Sequence, residues 1–140
     1  MLDIVLIVLA VLGALVVLAL LVGAARVLRM RRRLRSRLGA AGTRESDPAT
    51  LFGWAADRRD QRPGPGMLGL GPDTLVFVQL MPEREVRIER SAITSVTADR
   101  HFMGRTSNRE LLVVTWDDNG MGDAAAFVVN DLPAWRERLS

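Results

Sequence analysis

The sequence predicts an α+β chain: an N-terminal transmembrane helix, then an antiparallel β-barrel or sandwich of six or seven strands closed by a C-terminal α-helix. Three observations predict it. Ile4 to Ala25 is a run of 22 residues, all Ile, Val, Leu, Ala or Gly. Between Pro63 and Asn130, short apolar runs alternate with Gly, Pro, Asn and Asp turn signals. After Asp131, the residues Leu132, Trp135 and Leu139 recur at spacings of three and four, the period of one helix face.

The first run sets the rest. At about 1.5 Å per residue its helix is roughly 33 Å long, close to the ~30 Å hydrocarbon thickness of a bilayer. A single segment in hydrocarbon must satisfy its own backbone hydrogen bonds, which only a helix does. The flanks argue for an anchor over a cleaved signal, because the charges follow the apolar run. Met1, Leu2 and Asp3 precede it, and Arg26, Arg29, Arg31, Arg32, Arg33, Arg35 and Arg37 come after it. Basic residues beside a span stay on the cytoplasmic side, so the N-terminus is expected outside the cell membrane and residues 26–140 inside. These seven arginines are the expected membrane-surface residues, each worth about 1 kcal/mol against anionic lipid.

Charge is divided along the chain. The total is +3, but residues 39–140 carry twelve Arg against fifteen Asp or Glu, a net −3. A basic collar on a slightly acidic domain does not describe a nucleic-acid binder. Zero cysteines exclude disulfides, thiol catalysis and thiolate metal sites.

Residues 26–38 are expected to continue the helix as a basic juxtamembrane segment, with Leu28, Leu34 and Leu38 keeping one side apolar. Residues 39–63 read as a linker with a short helix. Asp47 is its expected N-cap, Pro48 stands in its first turn, and Leu51, Phe52, Trp54 and Ala55 form a stripe ending near Arg59. Pro63-Gly64-Pro65-Gly66 then breaks any helix. Expected strands follow at 67–70, 74–81, 84–89, 91–98, 111–116 and 124–129. Val86 and Ile88 alternate with charged residues, so one face of that strand is buried. Residues 99–110 show neither period and read as a long loop. Asp117-Asp118-Asn119-Gly120 is a hairpin signal, and Asp131 caps the final helix, whose Trp135 is the expected plug of a curved sheet.

The runs Gly66–Phe77, Val86–Val96, Leu111–Trp116 and Ala126–Trp135 carry a resemblance to the bacterial PH-like and GRAM-like domains, over about residues 64–140. Two departures stand out: six strands can be placed where a full PH fold has seven, and Gly71 occupies the usual polar turn position. One span, an arginine collar and such a domain together are similar to small actinobacterial membrane proteins of unknown function. The resemblance implies a non-catalytic adaptor or scaffold that binds a membrane or cytoplasmic protein partner.

Within that frame the 99–110 segment is the expected partner-binding surface. It gathers Arg100, His101, Phe102, Met103, Arg105 and Arg109 around Gly104. The arginines suit a phosphate or carboxylate, and Phe102 and Met103 supply apolar contact. The bland counterpart is that Phe102 folds inward while the arginines pair with Asp99 and Glu110. The collar and this segment together give the alternative, an anionic-lipid-sensing module. No catalytic, metal or cofactor residues are expected: His101 is the one histidine, and Ser91 and Ser95 have no base nearby in sequence. The bilayer itself is an expected partner, nucleic acid is not, and Ala10/Ala14 or Ala19/Gly23 would serve homo-oligomerisation through the span.

Overall fold

The structure is a computed structural model that describes residues 1–40, 42–57, 63–80 and 82–140. Helix α1 runs without interruption over Leu2–Ala40. Seven strands follow: β1 Glu45–Trp54, β2 Gly64–Leu70, β3 Thr74–Leu80, β4 Glu83–Glu89, β5 Ile93–Phe102, β6 Arg105–Asp118 and β7 Met121–Val129. A 3-10 turn at Arg90–Ala92 joins β4 to β5, and α2 spans Leu132–Leu139. All pairings are antiparallel in the order β4-β3-β2-β1-β7-β6-β5, so β4 and β5 are the two edges. The sheet is not closed.

The inner faces of all seven strands nonetheless share one core. Leu51, Leu68, Phe77, Ile88, Leu112 and Phe127 are fully or almost fully buried in it, and Trp135 of α2 joins them at 0% exposure. Phe77 and Phe127 meet across it with centroids 5.4 Å apart. Asp131 caps α2 as the sequence predicts, accepting from the Ala134 amide at 3.2 Å. Leu132 and Leu139 pack on the same core from that helix.

Three sequence expectations are corrected. The short helix from Asp47 is strand β1, which supplies the seventh strand. Its expected end at Arg59 lies outside the described residues, as does Met81, expected to close β3. The alternation of β1 was hidden because its inward positions are Ala49, Leu51 and Gly53, two of them too small to register as apolar anchors. Pro48 fits because the β7 ladder begins only at Ala49, leaving β1 flanked there by β2 alone. Asp47 caps nothing; its carboxylate accepts from Arg138 of α2 at 3.2 Å.

The second correction concerns residues 99–110, which are mostly strand. Asp99 pairs with Leu111, but His101 pairs with Thr106, a slip of three residues. An odd slip exchanges the two faces of a strand, so the period of two disappears from the sequence while the strand persists. At the tip, Met103 (φ 51°) and Gly104 (φ 76°) form a two-residue turn between Phe102 and Arg105. Asn119 and Gly120, at φ 52° and 86°, make the same kind of turn between β6 and β7, as predicted.

The third correction is the linker. Between α1 and β1 only a few residues remain, because α1 continues to Ala40 and ends in a tight local stop; residues 58–62 of the expected linker lie outside the described residues. The Gly42 amide donates to Gly39 O at 3.0 Å and the Thr43 amide to Leu38 O at 3.1 Å. With Gly42 at φ 77°, this is the Schellman termination, which turns the chain straight into β1.

Candidate membrane and partner surfaces

From Leu2 to Arg29 every α1 residue is exposed, and the apolar stretch has no share buried inside the protein. This is the one described helix long and apolar enough to cross a membrane, and it is not a core helix. Its last third is different. Leu34 and Leu38, four residues apart, are buried at 8% and 1% exposure against Val76 and Val78 of β3. Strand β3 is apolar on both faces; Leu75 and Phe77 turn to the main core, and α1 covers the other side. Leu28, expected on the same apolar side, stays 58% exposed. Gly69 of β2 permits the approach, since a Cβ there would stand 2.9 Å from Leu38 Cδ2 and Thr43 Cγ2.

This docking splits the collar in two. Arg26, Arg29, Arg33 and Arg37 are spaced 3, 4 and 4 apart, within about 80° of one another around the helix. They line a cleft of about 590 Å³ between α1 and the β3–β4 corner, completed by Met30, Leu80 and Glu83. Glu83 pairs with Arg37 at the outer end. Among the described residues no carboxylate pairs with Arg26, Arg29 or Arg33. Arg31, Arg32 and Arg35 are exposed elsewhere on the helix, outside the cleft. The spacing of the first four was present in the sequence, but a run of seven reads as uniform until a partner surface selects a face.

The 99–110 segment is held against the sheet. Phe102 is 8% exposed and packs with Leu111 and Ala126, while Phe52, Val113 and Val128 flank them. Phe52 sits at a bulge of β1 against β7, where Leu51 pairs with Phe127 and Gly53 with Ala126. Arg105 answers that bulge: it donates to Phe52 O, and its guanidinium lies 4.4 Å from the Phe52 ring centroid. Arg109 donates to Val129 O at 3.4 Å. Arg100, His101 and Met103 remain exposed. Asp99 accepts from the His101 amide at 3.0 Å, which, with the His101 side chain 3.4 Å away, holds its carboxyl below the usual aspartate value. The six expected partner-binding residues are therefore dispersed in role. Phe102 and Arg105 hold the hairpin, and three others point to solvent. The arginines find backbone carbonyls and a ring, not Asp99 and Glu110. The hairpin covers β1 and β7, whereas the collar lies over β2 and β3.

Sequence reasoning missed a second surface. A cleft of about 420 Å³ separates edge strand β5 from α2, lined by Ile93, Val96 and Leu139, with Arg136 and Glu137 on the helix side. From Ile93 to Ala98 the edge carries no charge. The opposite edge reads Glu83, Arg84, Glu85, Arg87 and Glu89, the charged pattern that discourages strand addition. The signal was in the sequence, but only the strand order shows which strands are edges.

Two further polar groups are tied into the fold. Asp123 is buried and accepts from Trp54 Nε1 at 2.9 Å, the Ala56 amide at 3.1 Å and the Ala124 amide at 2.8 Å. Arg84 pairs with Asp57 at 2.9 Å. Among the described residues, no group of three or more His, Asp or Glu is placed to hold a metal ion. No protein-family model and no curated protein sequence matches the chain.

Proposed function

We propose that this chain is a single-pass, membrane-anchored PH-like module, and that it works as a non-catalytic adaptor by taking an extended segment of a partner protein along β5. The carrying observation is the uncharged edge of β5 over Ile93–Ala98, facing a cleft of mixed lining beside α2 in which Ile93, Val96 and Leu139 are the apolar contacts. A strand added there gains main-chain hydrogen bonds from the edge and side-chain pockets from Ile93, Val96 and Leu139. The PH-like reading is supported by the seven-strand order followed by a helix whose Trp135 fills the open core. In this reading Ile4–Ala25 spans the cell membrane, and the arginines keep residues 26–140 on the cytoplasmic side.

A photoreactive residue replacing Thr97 on β5, or Glu85 on β4, tests it in intact cells. A discrete cross-linked partner at position 97 and none at 85 is expected. No adduct at 97, or the same adducts at both positions, overturns the reading.

A second reading, anionic-lipid sensing, is favoured by the four-arginine face of α1. The exposed Arg100 would assist, but Arg105 is occupied by Phe52. Binding to anionic vesicles that fades with added salt is its expected signature. Residues 26–140 without such binding would remove it.

A further inference from the structure

We infer that the cleft between α1 and the β3–β4 corner is a binding site for one lipid whose headgroup carries two phosphates. The inference deepens the lipid reading above and rests on Ile4–Ala25 as a bilayer span. Three observations lead to it: depth, charge and shape.

Depth comes from the uninterrupted helix. If the hydrocarbon ends near Ala25, Arg26 and Arg29 lie about 2 and 6 Å beyond it, within a headgroup layer roughly 5–8 Å thick. Arg33 lies about 12 Å beyond, one helical turn further out. The Arg33 side chain slants back toward the N-terminus of α1, which returns its guanidinium to the headgroup layer beside the other two. A lipid with a single phosphate meets two of the three guanidinium groups, and a second phosphate at the same depth, one short linker to the side, serves the third.

Charge agrees. Arg37 is engaged by Glu83, so the cleft presents three guanidinium groups without a carboxylate partner among the described residues. Guanidinium binds phosphate through paired N–H donors, and two phosphates supply enough oxygens for three such groups. Shape completes it. Met30 and Leu80 give the cleft an apolar wall between α1 and the sheet, and about 590 Å³ is ample for a headgroup of two phosphates and its linker. The wall is fixed, because Leu34 and Leu38 lock the helix onto β3 immediately beside it. A diffuse basic collar has no such wall.

The discriminating experiment removes equal charge from two sides of the same helix. The full chain in detergent micelles is titrated with cardiolipin or with phosphatidylglycerol at matched phosphate concentration, and bound lipid is counted by native mass spectrometry. The wild type is expected to retain one cardiolipin in preference to phosphatidylglycerol. The R29Q/R33Q pair is expected to weaken that retention about tenfold, one unit of ln 10 in RT terms, and the R31Q/R35Q pair less than twofold. Equal losses in the two pairs, or equal retention of the two lipids by the wild type, overturn the site and leave diffuse attraction only. Carbonate extraction of cell membranes reads the span separately. Release of the wild type by carbonate would overturn the bilayer reading even if cardiolipin still bound in micelles.

Discussion

Helix α2 lies beside the β5 edge of the sheet, α1 lies over β2 and β3 as far as the β3–β4 corner, and the two clefts so formed differ in kind. At β5 the neighbouring helix is α2, and the strand side of the cleft is Ile93, Thr94, Ser95 and Val96. At the β3–β4 corner the neighbour is α1, and the cleft is lined by four arginines answered by Glu83. From Ile93 to Ala98 the β5 edge is uncharged, whereas the β4 edge alternates Glu and Arg, the pattern that discourages strand addition. One sheet thus offers an uncharged face suited to polypeptide and a basic face suited to phosphate. The difference lies in what each helix brings: α2 brings Leu139 and one residue of each charge, α1 a stripe of a single sign.

The strongest way to break the comparison is to loosen the helix at β5. Trp135 is fully buried in the main core, so W135A should cost about 3–5 kcal/mol and detach α2 from β5. Thermal or denaturant unfolding of the full chain checks it. Trp135 Nε1 has no hydrogen-bond partner among the described residues, so W135F should cost clearly less. Equal losses would show that the indole N–H, and not ring volume, holds the helix.

The matching change at the other cleft is L38A. Leu38 is 1% exposed against β3, and its truncation should cost about 2–4 kcal/mol of docking energy. The readout is local: proteolysis after Arg33, Arg35 and Arg37 should accelerate while the β5 cleft keeps its cross-linking pattern. Acceleration across the whole domain would mean that α1 is integral to folding and that the clefts are not independent.

Much of this was legible in the residues and some was not, for reasons that can be named. The long helix, β3, β4, β7, the Asn119-Gly120 turn and the Asp131 cap each follow from a local signal that tertiary packing leaves in place. β1 was misread because Asp47-Pro48 carries a helix-start signal, while the strand alternation rests on Ala49 and Gly53, which contribute little hydrophobicity. Its identity is decided by its two neighbours, β2 and β7, which are distant in sequence. The 99–110 hairpin was misread because an odd register slip erases a period of two. Candidate sites suffered the same limit. Arg105 looked free to bind until the bulge at Phe52 gave it a carbonyl and a ring. The uncharged run 93–98 meant nothing until strand order made it an edge.

A subtler test exchanges the character of one edge. E85T/R87T removes the two exposed mid-strand charges of β4, leaving Glu83, Arg84 and Glu89 at its ends, and brings the middle of that edge close to the character of β5. Both side chains are exposed, and their mutual ion pair at 3.3 Å is a surface one, so stability should change by less than about 0.5 kcal/mol. The expected consequence is association: concentration-dependent dimers in sedimentation, built edge to edge through β4. Monomers at all concentrations would mean that α1 and Glu83, not the edge charges, keep β4 unpaired.

The smallest expected effect is a pH response at the far end of β5. The carboxyl of Asp99 is held below its usual value, chiefly by the His101 amide and then by the His101 side chain, with burial opposing weakly. A folded-state value below the unfolded one means the carboxylate stabilises the hairpin above about pH 4. That contribution falls away as the pH drops through the folded value. Because the group is exposed, the effect should appear in the hairpin alone, as a shift of the His101 amide resonance with a midpoint below that of a free aspartate. D99N should abolish that acid limb and leave the neutral-pH spectrum of the β5–α2 cleft unchanged. A limb that survives in D99N would assign the titration to another carboxylate and remove Asp99 as the hairpin's anchor. If instead the cleft resonances moved with it, the tip of β5 and its α2 face would be mechanically linked, and the partner edge would extend further along the strand than Ala98.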